Sequence, residues 1–160
     1  AIDEIINEIR SITHNLSSEI VAEIGLNKAI EQILIESANA LGAKHEFDYQ
    51  INDKYEFSLE VKKMLYRIVQ EALTNCMKYS QASKLSISVK DQNRQISLKI
   101  VDDGIGFNTS AYVRGIGLQN IRKRVNYLTG FCTIKSEPNE GTEIIIKIPV
   151  KNDKIADSNN

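Results

Sequence analysis

The sequence predicts an α/β fold, a two-layer sandwich in which helices cover one face of a mixed, mainly antiparallel sheet. Three observations predict it. Apolar residues switch along the chain between a period near 3.6 and a period of 2. The strand-like segments come mostly in adjacent pairs with short polar connections, as hairpins do. The order of segments is helix, helix, strand, helix, strand, strand, loop, helix, strand, strand, which is not the regular alternation of a doubly wound nucleotide fold. No G-x-x-x-x-G-K-[ST] loop occurs either, which excludes a P-loop enzyme.

Each element has its own signal. Residues 2–16 carry Ile2, Ile5, Ile6, Ile9, Ile12 and Leu16, an apolar helical stripe. A second helix is expected over about 27–40, with Ala29, Ile30, Ile33, Leu34 and Ser37 on one side and Gly42 as its stop. Residues 45–51 alternate as a strand, Phe47, Tyr49 and Ile51 against Glu46, Asp48 and Gln50. A long helix over about 59–80 turns Val61, Leu65, Ile68, Val69, Ala72, Leu73 and Cys76 to one face. Residues 84–90 and 95–101 alternate again, joined by a polar loop at 91–94. Residues 102–114 read as a glycine-containing loop. A helix over 117–128 follows, ended by Gly130, and a final hairpin pairs 131–136 with 142–148. The tail from 151 to 160 is polar.

The totals fit one domain of ordinary size. The chain has 160 residues, 42% hydrophobic and 26% charged, with a formal net charge of −1. No polybasic stretch argues for nucleic acid or an anionic membrane, and no apolar run is long enough to cross a bilayer. The expectation is therefore no nucleic-acid partner and no direct membrane contact. Cys76 and Cys132 lack metal-ligand spacing and read as reduced residues of a cytoplasmic protein, although sequence alone leaves a disulfide open.

Three segments carry chemistry. On the long helix, Arg67, Glu71, Asn75 and Lys78 fall on one polar stripe. Asn75 offers a neutral oxygen suited to Mg²⁺, Lys78 a point charge for phosphate, and Glu71 a carboxylate able to act on a hydroxyl, water or imidazole. At the end of a strand stands Asp102-Asp103-Gly104-Ile105-Gly106. A carboxylate there can accept from an exocyclic amine, and Gly104 and Gly106 let a flat ring approach the backbone. The third segment, Gly115-Ile116-Gly117-Leu118 with Arg114 beside it, opens a helix whose free N–H groups favour anions. Taken singly, these are also what a solvated helix face, a tight turn and a glycine-containing helix entry look like. Their order, followed by Gly141-Thr142 ahead of the last strand, is much more specific.

In that order the segments resemble the ATP-binding domain of histidine kinases, within the GHKL superfamily that includes gyrase, the Hsp90 chaperone and MutL. Residues 71–79 resemble its N box, 102–106 its first glycine box and 115–118 its second, and the resemblance spans about residues 25–150. Leu65-Tyr66-Arg67-Ile68-Val69-Gln70-Glu71-Ala72-Leu73-Thr74-Asn75 is most similar to the kinases partnered with LuxR-type response regulators, which also have a short lid like residues 107–114. The resemblance implies ATP and Mg²⁺ as cofactors, with Mg²⁺ on Asn75 and the adenine amine on Asp102. Gly104 and Gly106 would lie at the base and ribose, and Gly115, Gly117 and Leu118 at the phosphates, with Arg114 nearby as a further nucleotide-binding candidate. Thr142 would support Asp102, and Glu71 would help activate the acceptor histidine. The family usually has Lys-His where this chain has Lys78-Tyr79, so Tyr79 is a departure that leaves its nucleotide contact open.

The expected organisation is the end of a dimerisation helix and linker over 1–22, an ATP-binding catalytic domain over 23–150, and a tail over 151–160. Because the chain starts at Ala1 inside an evident helix, it reads as a piece of a longer protein, dimeric through its dimerisation helices, with membrane anchorage of the parent left open by the sequence. His14 lies on that first helix, but Asn15 follows it where the family's acceptor is followed by an acid. The acceptor is therefore expected elsewhere in the parent. The expected reaction is transfer of the γ-phosphoryl of ATP to a histidine, for relay to a response regulator. The rival readings are an ATP hydrolase or serine kinase of the same superfamily, and a non-catalytic nucleotide-binding or dimerisation module.

Overall fold

The computed structural model describes residues 19–52, 57–110 and 115–150. The helix expected over 2–16, His14, Arg114 and the tail lie outside the described residues. Helices α1 (Leu26–Leu41), α2 (Leu59–Asn75) and α3 (Ile116–Tyr127) pack on a five-stranded sheet made of β1 (Lys44–Gln50), β2 (Lys84–Gln92), β3 (Gln95–Asp102), β4 (Phe131–Ser136) and β5 (Thr142–Pro149). The strand order is β1-β2-β3-β5-β4. Only β1 and β2 run parallel; the other neighbours are antiparallel. The mixed, mainly antiparallel sheet expected from the sequence is the one found.

The elements form where their periodicity puts them. Leu85, Ile87 and Val89 of β2, Ile96, Leu98 and Ile100 of β3, and Ile144, Ile146 and Ile148 of β5 all point to the helical side and are buried. They join Ile30 and Leu34 of α1, Leu65, Ile68, Val69 and Leu73 of α2, and Ile121 and Val125 of α3 in one core cluster. Burial of each such side chain stabilises the fold by roughly 1.5–3 kcal/mol. The other sheet face is polar, with Glu143 of β5 paired to Lys99 of β3 and Lys135 of β4. This polarity explains why helices cover one face only.

Ends are set by local chemistry. Ser58 caps α2, its hydroxyl accepting from the Val61 N–H at 3.3 Å. Gly42 stops α1 in the left-handed region, at φ 65°. The β2–β3 connection is tighter than the four-residue loop expected. Both strands extend inward until only Asn93 and Arg94 remain, at φ 52° and 61°. Two successive positive φ values mark the turn type whose twist matches a hairpin.

The larger difference is in the long helix. A single helix was expected to about residue 80, but the α-helix ends at Asn75 and a wide π-turn, Cys76–Ser80, follows. The Ser80 hydroxyl donates to the Cys76 carbonyl at 2.7 Å and accepts from the Ala82 N–H at 3.2 Å. A π-turn holds more residues per turn, so it shifts the phase of everything after Asn75. Met77, Lys78 and Tyr79 are consequently exposed, Tyr79 by 61%.

Candidate functional site

Three pieces of chain meet at one end of the sheet: the end of α2 with its π-turn, the segment after β3, and the start of α3. The β4–β5 turn closes behind the second piece. The whole arrangement starts from the polar stripe on α2. Leu65, Ile68, Val69 and Leu73 hold the apolar side of that helix in the core, which leaves Arg67, Glu71 and Asn75 on its other side, half-buried.

Glu71 and Asn75 face the start of α3. A Cβ placed on Gly117 would lie 2.7 Å from Oε1 of Glu71 and within 2.9 Å of both amide atoms of Asn75. The sequence separates these residues by more than 40 positions; the structure brings them together. Gly115 precedes α3 and provides no side-chain cap, so the first N–H groups of that helix have no capping side chain. The site therefore has a carboxylate, a carboxamide and a helix N-terminus converging on one glycine. Leu118 anchors this end by packing against the core.

Arg124, one of three successive basic residues, turns inward. It is half-buried: burial lowers the pKa of its guanidinium, the Glu71 carboxylate raises it, and the Arg67 charge lowers it again. Nε of Arg67 and Nη1 of Arg124 are buried without a hydrogen-bond partner among the described residues. Arg122 and Lys123 remain exposed. Nothing in the run Arg122-Lys123-Arg124 distinguishes the third residue except its helical phase with Ile121 and Val125.

Asp102, the last residue of β3, is only 5% exposed. Its Oδ1 accepts from the Gly104 N–H at 2.9 Å, and its Oδ2 lies 3.5 Å from Sγ of Cys76. Thr142 stands opposite it in the β3–β5 register, near enough for its hydroxyl to favour the ionised carboxylate. Burial raises the Asp102 pKa; the Gly104 N–H, the Cys76 thiol and the Thr142 hydroxyl pull it back. Burial, and secondarily Asp102 itself, push the Cys76 thiol far up, so it stays a neutral donor. Both cysteines are free thiols.

Asp103 behaves oppositely although it is the next residue. It is exposed, and its carboxylate accepts from the Ser83 hydroxyl at 2.5 Å and from the Ser83 and Lys84 N–H groups at 2.8 Å. These donors, the Ser83 hydroxyl first, hold its pKa below the ordinary carboxylate value. Asp103 fastens the glycine segment to the start of β2, a role that sequence reasoning missed.

The glycines of this segment serve the chain's own packing. A Cβ on Gly104 would sit 2.1 Å from the Ser80 carbonyl oxygen, which also accepts from the Ile105 N–H at 2.7 Å. A Cβ on Gly106 would sit 2.1 Å from the Glu137 carbonyl oxygen, and one on Gly141 2.1 Å from that of Asp102. On the side where a Cβ would stand, each of these glycines meets backbone. Ser136 completes the brace: its hydroxyl accepts from the Phe107 N–H at 2.9 Å and donates to the Gly141 carbonyl at 2.7 Å. Ser80, Ser83 and Ser136 had no signal in the sequence beyond residue type.

Glu71, Asn75, Asp102, Gly115, Gly117, Leu118 and Thr142 thus line one end of the sheet. Lys78 and Tyr79 project from the π-turn and are exposed. Arg114 lies outside the described residues. Among the described residues no cluster of three His, Cys, Asp or Glu side chains could hold a metal alone. An ion at Asn75 would take most of its oxygens from phosphate and water, which suits Mg²⁺. No helix of the described residues is long and apolar enough to cross a membrane.

Comparison with known proteins agrees with this geometry. Over 144 residues the chain is 32% identical to the signal transduction histidine-protein kinase/phosphatase DegS of Brevibacillus brevis, spanning 89% of this chain and 37% of that protein. The chain therefore spans little more than a third of the length of this curated relative. Among solved structures, a blue-light activated histidine kinase of Erythrobacter litoralis matches with a TM-score of 0.72 at 18% identity, over 97% of this chain and 51% of that one. The histidine kinase AdeS of Acinetobacter baumannii matches with a TM-score of 0.67 at 17% identity, over 94% of this chain and 84% of that one. These two likenesses are of fold. The model of the histidine kinase-, DNA gyrase B- and HSP90-like ATPases matches residues 60–152, more than half of the chain and every motif of the site, and the chain belongs to that family.

Proposed function

We propose that this chain is the ATP-binding catalytic domain of a two-component sensor histidine kinase. It would place the γ-phosphoryl of ATP before a histidine of a dimerisation domain, for relay to a response regulator. The observation that carries the reading is the convergence of Glu71 and Asn75 on Gly117 at the uncapped start of α3. Phosphoryl transfer is mostly positioning and charge stabilisation, and that is what these groups can supply. The N–H groups of α3 meet phosphate oxygens, with Lys78 and Arg114 as added charge. Asn75 holds Mg²⁺, whose part is to neutralise charge on the phosphates. Glu71 meets the incoming histidine and orients or deprotonates it. Asp102, supported by Thr142, accepts from the adenine amine, with Gly104 and Gly106 beneath the base. Tyr79 lies at the nucleotide's edge.

The finer assignments belong to the same proposal. A LuxR-type regulator partner is supported by the run from Leu65 to Asn75. A dimeric parent with the acceptor histidine on another helix is supported by the stripe over residues 2–16. A cytoplasmic location is supported by the two free thiols.

Calorimetric titration of a non-hydrolysable ATP analogue, with and without Mg²⁺, tests the site on this chain and on Asp102→Asn. Binding that strengthens with Mg²⁺ and falls at least tenfold in Asp102→Asn is expected, one buried hydrogen bond to a charged group being worth about 1.5–3 kcal/mol. Added histidine helix should then become phosphorylated. A folded chain that binds no nucleotide would leave a docking module instead. Rapid hydrolysis without the histidine helix would favour an ATP hydrolase.

A further inference from the structure

The Asp102 carboxylate has more partners than the base-reading role requires. An ionised carboxylate offers about four lone-pair positions. The Gly104 N–H takes one on Oδ1, at 2.9 Å. The Cys76 thiol takes one on Oδ2, at 3.5 Å, and the Thr142 hydroxyl stands near enough to favour the charged form. At least one is left for a donor from outside. The three inner donors differ in kind. The Gly104 N–H belongs to the backbone. The Thr142 hydroxyl is shared, lying 3.2 Å from that of Ser136. Cys76 is a side-chain donor 7% exposed, on the first residue of the π-turn directly after Asn75. It links the stripe of the phosphate-facing helix to the base-facing carboxylate.

We propose that Cys76 determines the choice of base: by donating to Oδ2 of Asp102, its thiol fixes the carboxylate so that the remaining lone pair faces the exocyclic amine of a 6-aminopurine. This inference rests on the reading of Asp102 as the adenine acceptor. The physical argument is one of unmet acceptors. Asp102 is 5% exposed, so water cannot readily replace a lost donor. With an apolar side chain at position 76, Oδ2 loses a partner. The carboxylate then rotates toward the donors that remain or takes up a proton, and either change spoils its acceptance from an amine. A serine at position 76 keeps a donor there. The thiol acts through Asp102 and is a positioning residue, not one that touches the nucleotide.

The test compares ATP with purine riboside triphosphate, which lacks the 6-amino group and is otherwise the same ligand. Calorimetry on this chain should show ATP bound more tightly than the analogue. In Cys76→Ala the affinity for ATP should fall about three- to tenfold, the range of one modest hydrogen bond, with the analogue nearly unchanged. The preference for the amine would thereby shrink. Cys76→Ser should restore most of it. Equal weakening of both ligands in Cys76→Ala would mean that the thiol only fills space, and would overturn the inference. So would a preference that survives Cys76→Ala intact. No preference in the unaltered chain would sink the adenine reading of Asp102 itself, a different outcome from either of these. A urea midpoint for each variant checks that binding losses come from folded protein.

Discussion

The two glycine-bearing segments of this site look alike in sequence and do opposite physical work. After β3, Gly104 and Gly106, with Gly141 across from them, lack side chains because the chain's own carbonyl groups occupy the space, each 2.1 Å from where a Cβ would stand. That segment is a built socket, braced by Ser80, Ser136 and the donors on Asp103. At the start of α3, the nearest atoms to a Cβ on Gly117 are the ends of two side chains, Glu71 and Asn75, and Gly115 leaves the helix start without a side-chain cap. That segment is an open helix end, the one proposed to face the phosphates. The lesson is that a glycine in a nucleotide motif can be required by the ligand or by the fold, and only the identity of its neighbours tells which.

The contrast can be broken by substitution. The largest effect is expected for Gly104→Ala and Gly141→Ala. Each forces a methyl group into backbone that cannot swing aside, and Gly141 also sits at φ 74°. A loss of about 3 kcal/mol or more, read from urea unfolding, is expected, on the scale of severe overpacking and strain. A loss below about 1 kcal/mol would show that the socket yields. Gly117→Ala should behave in the opposite way. Its neighbours are side-chain ends that can move, and alanine suits a helix better than glycine by up to about 1 kcal/mol. Stability should change by less than about 1 kcal/mol, while ATP affinity drops at least tenfold because Glu71 and Asn75 are displaced. If the two glycines cost the same stability, the distinction fails.

The smallest effect concerns the adjacent carboxylates. Asp103 has its folded pKa lowered, so its stabilising contribution is present above the unfolded value of about 3.9 and is lost as pH falls through the folded value. Being exposed, it should contribute no more than about 1 kcal/mol. Asp102 has its folded pKa raised, so between the unfolded and folded values the native chain holds the proton more tightly, and native stability declines as pH rises through that window. Urea midpoints from pH 3 to 7 should therefore shift in opposite senses. Relative to the unaltered chain, Asp103→Asn should be less stable near neutrality and converge with it in acid. Asp102→Asn should not be less stable near neutrality, although it loses nucleotide. A fall in the neutral midpoint of Asp102→Asn would mean that its inner hydrogen bonds outweigh the burial of its charge.

Much of this was legible beforehand because periodicity is a local property. The alternation of Leu85, Ile87 and Val89, and of Ile96, Leu98 and Ile100, fixed two strands and the face each would bury. The spacing of Ile30, Leu34 and Ser37 did the same for α1. The glycine pattern and the run from Leu65 to Asn75 named the segments of the site. The π-turn was not legible. Residues 76–80 carry no Gly or Pro to end an α-helix, and the wide turn is selected by what it meets, the Ser80 carbonyl bonding the Ile105 N–H at 2.7 Å. The inward turn of Arg124 escaped for a similar reason, since its neighbours Glu71 and Arg67 lie on another helix.

The sequence by itself determined the elements, the faces they bury and the residues with the right chemistry, since each depends on side chains a few positions apart. Only the tertiary structure decided which of those residues meet. Asp102 finds Cys76 and Thr142, and Gly117 finds Glu71 and Asn75, across loops whose course no local rule specifies. The physical reason is that packing a shared core sets where α2 and α3 lie on the sheet. The proposed site lies where their ends meet the end of β3.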